Sequence, residues 1–201
     1  MNAAAACLLA RLSPSGLAPG AADSGLIALA RRGDPSALDE LVRRHQNRVY
    51  NLTYRMLRQR EDAEDVTQEA FLKAFQALPR LKDDAAFRSW LCRIAANLCL
   101  MRLRSRPHAE TPWDAAAEAE QAAEQDVAPE IVEKLRNAMA DLPPKYRLAV
   151  IAFYIEGRSY NEAARMAGVP VLTFKTRLYR ARRMLRDLLS EKLAAEGEST
   201  L

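Results

Sequence analysis

Asp65, Gln68 and Glu69 share one helical segment and lie off its apolar stripe. That stripe is traced by Val66, Ala70, Phe71, Ala74, Phe75 and Leu78 at three- and four-residue steps. Two carboxylates and an amide grouped this way form a compact anionic patch, which suits a dock for a basic partner. Just downstream the chain changes sign. Phe87, Arg88, Trp90 and Arg93, then Arg102, Arg104 and Arg106, interleave aromatics with cations. That mixture stacks unpaired bases and neutralises phosphates. An acidic face and a basic aromatic face on one domain suit a bridge between a basic protein and an anionic polymer.

A second cationic group lies near the C-terminus. Val171 to Arg186 holds six basic residues and no acid. Phe174, Leu178, Ala181 and Leu185 make an inward stripe, which leaves Lys175, Thr176, Tyr179, Arg180 and Arg183 facing out. The preceding residues supply the rest of a DNA-reading unit. Ser159-Tyr160-Asn161-Glu162 is a capping box opening a short helix to Ala167. Gly168 provides a turn, and Val169-Pro170 starts the last helix. A short helix, a glycine turn and a longer basic helix form the helix-turn-helix pattern. Side chains from the early turns of such a helix reach base edges, while Arg and Lys further along hold phosphates. Six neutralised phosphates would give a log–log salt slope of about −5.

No phosphate-cradling glycine loop, metal-ligand cluster or nucleophile–base constellation is present, which argues against an enzyme and against a cofactor. Cys7, Cys92 and Cys99 are an odd set without a CxxC pair, and His45 and His108 are not in ligand spacing with them. A reducing cytoplasm, packing thiols and a packing or surface His45 follow. No apolar run approaches the ~20 residues of a membrane span, and the N-terminal stretch lacks the basic start of a secretory signal.

The elements that position these residues are helical throughout. The 201-residue chain is almost half apolar, has only seven glycines and shows no strand-like alternation. The expected fold is all-α: two small helical domains joined by a flexible acidic linker, the C-terminal one a helix-turn-helix. Residues 1–24, rich in Ala, Gly, Pro and Ser, read as a disordered tail. Residues 25–106 form the first domain. Its first helix carries Leu26, Leu29 and Ala30 to Gly33, and Asp34-Pro35 restarts the next. That helix runs through Arg58, and Gln59 to Asp62 breaks the pattern. Pro79 ends the acidic helix, and Asp83 or Asp84 caps the next, whose apolar face runs from Phe87 to Met101. Residues 107–129 read as a linker. From Glu110 to Glu133 there are eight acids and no Lys or Arg, and Trp113, alone in this stretch, reads as a docking side chain. The second domain spans 130–193: a helix of Ile131, Leu135, Ala138, Met139 and Leu142, a second reaching Ile155 and Gly157, then the helix-turn-helix, with a tail at 194–201.

The run Ala63-Glu64-Asp65-Val66-Thr67-Gln68-Glu69-Ala70-Phe71-Leu72-Lys73-Ala74-Phe75, followed by Phe87-Arg88-Ser89-Trp90-Leu91-Cys92-Arg93-Ile94-Ala95-Ala96-Asn97-Leu98 and the arginines, resembles the promoter-melting domain of bacterial sigma-70 family sigma factors, and within them the small extracytoplasmic-function (ECF) group. The resemblance covers residues 25–106 and 130–190. It implies a specificity subunit of RNA polymerase. Asp65, Gln68, Glu69 and Lys73 would then dock on the clamp helices of the largest catalytic subunit. Lys82, Asp83, Arg88, Trp90, Arg93 and Asn97 would read and melt the minus-ten element, with core packing the competing role for Phe87 and Trp90. Thr173, Lys175, Thr176, Arg177, Arg180 and Arg183 would read the minus-thirty-five element as duplex. The implied partners are core polymerase, through its clamp helices and flap, promoter DNA and an anti-sigma factor. The linker would follow the path of nascent RNA. This chain departs from the family pattern at Cys92, Met101 and Leu172, positions at or near DNA. A two-domain DNA-binding regulator that does not engage polymerase is the alternative.

Overall fold

The structure, a computed structural model, describes residues 23–105 and 129–198, the last with backbone only at 129–132 and 191–198. The expectations for residues 1–22, for most of the linker, and for Cys7, Trp113 and His108 lie outside the described residues.

Helix α1 (Asp23–Arg31) leads into α2 (Pro35–Leu57), α3 (Arg60–Ala77) and α4 (Phe87–Ser105). Asp34 starts α2 as expected: its carboxylate accepts from the amides of Ser36 at 2.9 Å and Ala37 at 3.3 Å, with Pro35 in the first turn. Two differences stand against the expected boundaries. α1 begins at Asp23 and buries Ile27, while Leu29 faces solvent. The break after α2 is confined to Arg58 and Gln59, because Arg58 takes a left-handed φ of 61° whose amide closes on the Tyr54 carbonyl, and α3 restarts at once.

α2, α3 and α4 pack mutually around Leu41, Val49, Leu52, Met56, Val66, Ala70, Phe71, Phe87, Leu91, Ala95 and Cys99. Each large side chain fully buried there contributes roughly 2–3 kcal/mol over leaving it exposed. The core also takes polar atoms that satisfy each other. The Thr53 hydroxyl lies 2.9 Å from that of Thr67 and 3.1 Å from the Ala63 carbonyl. Between α3 and α4 the chain makes two 3-10 turns, Leu78–Arg80 and Asp84–Ala86. Asp83 caps the second turn, accepting from the Ala85 amide at 3.0 Å. Asp84 instead holds Arg31 of α1 at 2.6 Å.

The C-terminal region comprises α5 (Pro129–Asp141), α6 (Pro144–Val150), a π-helical turn (Ile151–Ile155), α7 (Tyr160–Met166) and α8 (Val171–Glu198). The expected second helix therefore ends at Val150, and its last turn widens. Leu135 and Ile155, expected inside, are exposed, and so is Met101 on α4. The capping box forms in full: the Glu162 amide donates to the Ser159 hydroxyl at 3.3 Å, and the Ser159 amide donates to the Glu162 carboxylate at 3.0 Å. Gly168 takes φ +65°, the conformation that favours glycine, and turns α7 into α8. Phe174, Leu178 and Ala181 point inward as expected, and Leu185 is half-buried.

The two helical regions do not stand apart. One apolar cluster runs from Leu91, Cys92 and Ala96 through Leu148, Ile151, Ala152, Ala163, Met166 and Phe174. The short α5–α8 region thus shares a core with its neighbour, which adds to the small core that its own size allows.

Candidate nucleic-acid interface

The acidic ridge sits on the solvent side of α3. Asp65 is 67% exposed, and Gln68, Glu69 and Lys73 are exposed with it. Its charges are not loose. Glu69 pairs with Lys73 at 2.8 Å. Asp65 accepts from Arg102 of α4 at 3.2 Å, and the same guanidinium grips Asp62 at 2.8 and 3.1 Å. The Asp62 side chain is buried and fixes Arg102, so the ridge is tied to the base of α4. Sequence reading missed this link because Asp62 and Arg102 are 40 residues apart. It also missed Leu72, an exposed apolar side chain three residues beyond Glu69 on the same helix face.

On α4 the residues expected at the minus-ten element divide. Trp90, Arg93 and Asn97 fall within about 60° of one another around the axis, whereas Arg88 lies roughly 140° from Arg93. Arg88 faces the His45 side, where its charge acts on that imidazole. Arg88, Arg93 and Asn97 are exposed, and Trp90 is half-buried. Phe87 is core: it is fully buried, edge-on to His45 with ring centroids 5.3 Å apart, and 6.1 Å from Trp90. Lys82 and Asp83 are exposed on the connecting loop, but the Asp83 carboxylate serves that loop as a cap.

His45 itself is buried, its Nε2 2.9 Å from the Asp23 carboxylate. Burial holds its pKa below the usual histidine range, against the pull of Asp23. Cys92 and Cys99 are buried free thiols, and burial pushes Cys99 up to about 12.

On α8, Thr173, Lys175, Thr176, Arg180 and Arg183 are exposed and Arg177 is half-buried. The Thr176 hydroxyl donates to the Leu172 carbonyl at 3.0 Å, so it serves its own helix. Arg180 reaches the Tyr146 phenol and lowers its pKa. Among the described side chains of the helix, the most exposed large apolar ones are Leu172 at 77% and Tyr179 at 60%. Beside them the Lys175 amine lies 5.2 Å from the Tyr160 ring, and Arg182 lies 5.5 Å from the Tyr154 ring. Arg182, absent from the expected set, sits seven residues after Lys175 and so on the same side of the helix. That spacing was a usable signal.

Among the described residues no group of His, Cys, Asp and Glu is placed to hold a metal ion, and no helix is long and apolar enough to cross a membrane.

The chain resembles known proteins. Residues 41–108 match the family model for Sigma-70 region 2, and residues 132–185 match that for Sigma-70, region 4. The chain is 37% identical over 168 residues to the ECF RNA polymerase sigma factor SigM of Mycobacterium tuberculosis, covering 83% of this chain and 84% of that one. It is 33% identical over 184 residues to the RNA polymerase sigma-H factor of Pseudomonas aeruginosa, covering 85% and 95%. Among solved structures, CnrH in complex with the cytosolic domain of CnrY superposes with a TM-score of 0.65 at 29% identity, over 85% of this chain and 99% of that one. The chain belongs to the sigma-70 family of RNA polymerase sigma factors, in its ECF group.

Proposed function

We propose that the chain confers promoter specificity by three contacts: the α3 ridge on core polymerase, the α4 surface on the minus-ten element, and α8 on the minus-thirty-five element. One observation carries this reading. A single helical body exposes the anionic set Asp65, Gln68 and Glu69 alongside two separate cationic surfaces, on α4 and α8. The ridge recognises a basic protein surface, since its carboxylates would repel DNA. Arg93 and Asn97, with Trp90 beside them, meet the minus-ten element, where aromatics and amides hold unpaired bases. Lys175, Arg180 and Arg183 meet duplex phosphates, and Thr173 stands at the early turn that reaches base edges. The protein acts by binding and positioning rather than by covalent chemistry, and it works in the cytoplasm with the polymerase. An anti-sigma partner that covers the ridge is part of the same reading. The RpoE sigma factor of Bartonella quintana, which shares the fold, was solved in complex with the anti-sigma factor NepR.

The test is a double reversal, Asp65→Lys with Glu69→Lys, in the full chain. Pull-down of purified core polymerase is expected to fall to background while binding to a minus-thirty-five duplex is retained. Undiminished pull-down would instead favour a DNA-binding regulator that does not engage polymerase.

A further inference from the structure

Cations do not fill the middle of the outward face of α8. Leu172, Thr176 and Tyr179 recur there at four- and three-residue steps and fall within about 60° of one another around the axis. Leu172, in the first turn, is 77% exposed. The Thr176 hydroxyl donates back to the Leu172 carbonyl, so its proton is spent within the helix. The neighbouring cations stand at the borders of this strip: Lys175 and Arg182 along one side, Arg180 along the other. Each is held there by an aromatic ring from another element. The Lys175 amine lies 5.2 Å from the centre of the Tyr160 ring. Arg182 donates to the Tyr154 hydroxyl and lies 5.5 Å from the centre of that ring. Arg180 reaches the Tyr146 phenol. The strip itself carries no charge through its first two turns, and Arg183 joins it only after Tyr179.

On an ordinary soluble surface a single exposed leucine needs no explanation. This one stands in the early turn that the proposed function sets against base edges. In the major groove, base edges present donors and acceptors, and thymine alone adds an apolar group, its C5 methyl. Adenine is held by Asn or Gln, cytosine by a carboxylate, and guanine by Arg or Lys. From Val171 to Arg186 there is no Asn, Gln, Asp or Glu. The cations nearest Leu172 are drawn to the borders. What the first turns of the strip offer a base edge is therefore apolar surface, and thymine is the base that answers it. We propose that Leu172 is a specificity-determining residue, which packs on the C5 methyl of a thymine in the minus-thirty-five duplex. The proposal rests on the proposed minus-thirty-five contact and adds what that contact reads. Burying one methyl group is worth about fourfold in affinity. Phosphate contacts supply far more of the binding and all of its salt dependence. Leu172 thus governs which sequence is chosen and leaves the salt slope to the cations.

The probe is a pool of short duplexes with a randomised central segment, selected by the full chain with and without purified core polymerase. The selected duplexes are expected to share at least one thymine position. Replacing each shared thymine by deoxyuridine removes the C5 methyl and leaves the pairing edge intact. At one of these positions the replacement should weaken binding by the unsubstituted chain about fourfold. Leu172→Ala should bind the thymine and deoxyuridine duplexes equally, and Leu172→Met, which keeps an apolar side chain of similar size, should again tell them apart. The salt slope of Leu172→Ala is expected to match that of the unsubstituted chain. A reduced slope would place the residue at the backbone and overturn the proposal. Deoxyuridine that weakens both chains equally at every shared position also overturns it, as does a shared site with no thymine on either strand. In those cases the proposed minus-thirty-five contact stands. If neither preparation enriches any duplex over random-sequence DNA, that contact fails, and the reading of thymine fails with it.

Discussion

Arg102 reaches from α4 to α3 and holds the buried Asp62 carboxylate at 2.8 Å, with its outer amino group still in contact with Asp65. The helix with the minus-ten candidates is thereby joined to the acidic ridge by one side chain. The two carboxylates are not equivalent. Asp62 is shielded from water and gripped by Arg102, while Asp65 remains largely hydrated.

Arg102→Gln is expected to lower stability by about 1–2 kcal/mol, the loss of a buried partner discounted for the part-exposed guanidinium. Adding Asp62→Asn should recover part of it, because the carboxylate that Arg102 held is then neutral. Asp65→Asn should stay within about 0.5 kcal/mol of the starting protein. Urea midpoints of the four chains check all three.

Duplex binding by α8 should follow the charge count. Lys175→Ala, Arg180→Ala and Arg183→Ala are each expected to reduce the log–log salt slope by about 0.9. Thr176→Ala should leave it unchanged, since that hydroxyl is already committed to the Leu172 carbonyl. Fluorescence anisotropy on a minus-thirty-five duplex across a salt series provides the measurement.

The Ser159 cap fixes the start of α7 and so the angle at which α8 is presented. Ser159→Ala is expected to cost about 1 kcal/mol, and Ser159→Gly only a few tenths. Both are read from urea midpoints, with duplex affinity falling in the same order.

His45 makes stability depend on pH. Its folded pKa lies below the unfolded value of 6.5, so the fold favours the neutral ring. Its contribution is complete above pH 6.5 and is lost as pH falls through the depressed folded value. The urea midpoint is expected to drop between pH 7.5 and 5.5, and the drop should shrink in His45→Gln.

Much of the architecture was legible residue by residue. The Asp34 cap, the Ser159–Glu162 box, the Gly168 turn and the stripes of α3 and α8 are relations among neighbours within four positions, and local backbone geometry enforces them. The exposure of Asp65, Gln68, Glu69 and Lys175 followed from the same periodicity. Phe87 and Met101 show its limit. Both lie on the expected apolar side of α4, yet one is the centre of the core and the other is in solvent, because a stripe says which way a side chain points and not whether anything meets it.

What the sequence determined by itself was therefore the set of helices, several of their caps, their charged faces and the family they signal. The tertiary structure alone decided that Arg102 answers Asp62, that Asp23 answers His45, and that Glu156 and Arg147 bind the second region to the first. Those partners lie from 22 to 108 residues apart along the chain. No helical period connects positions so distant; only the packing of whole helices brings them within reach, and burial then makes either partner costly to remove.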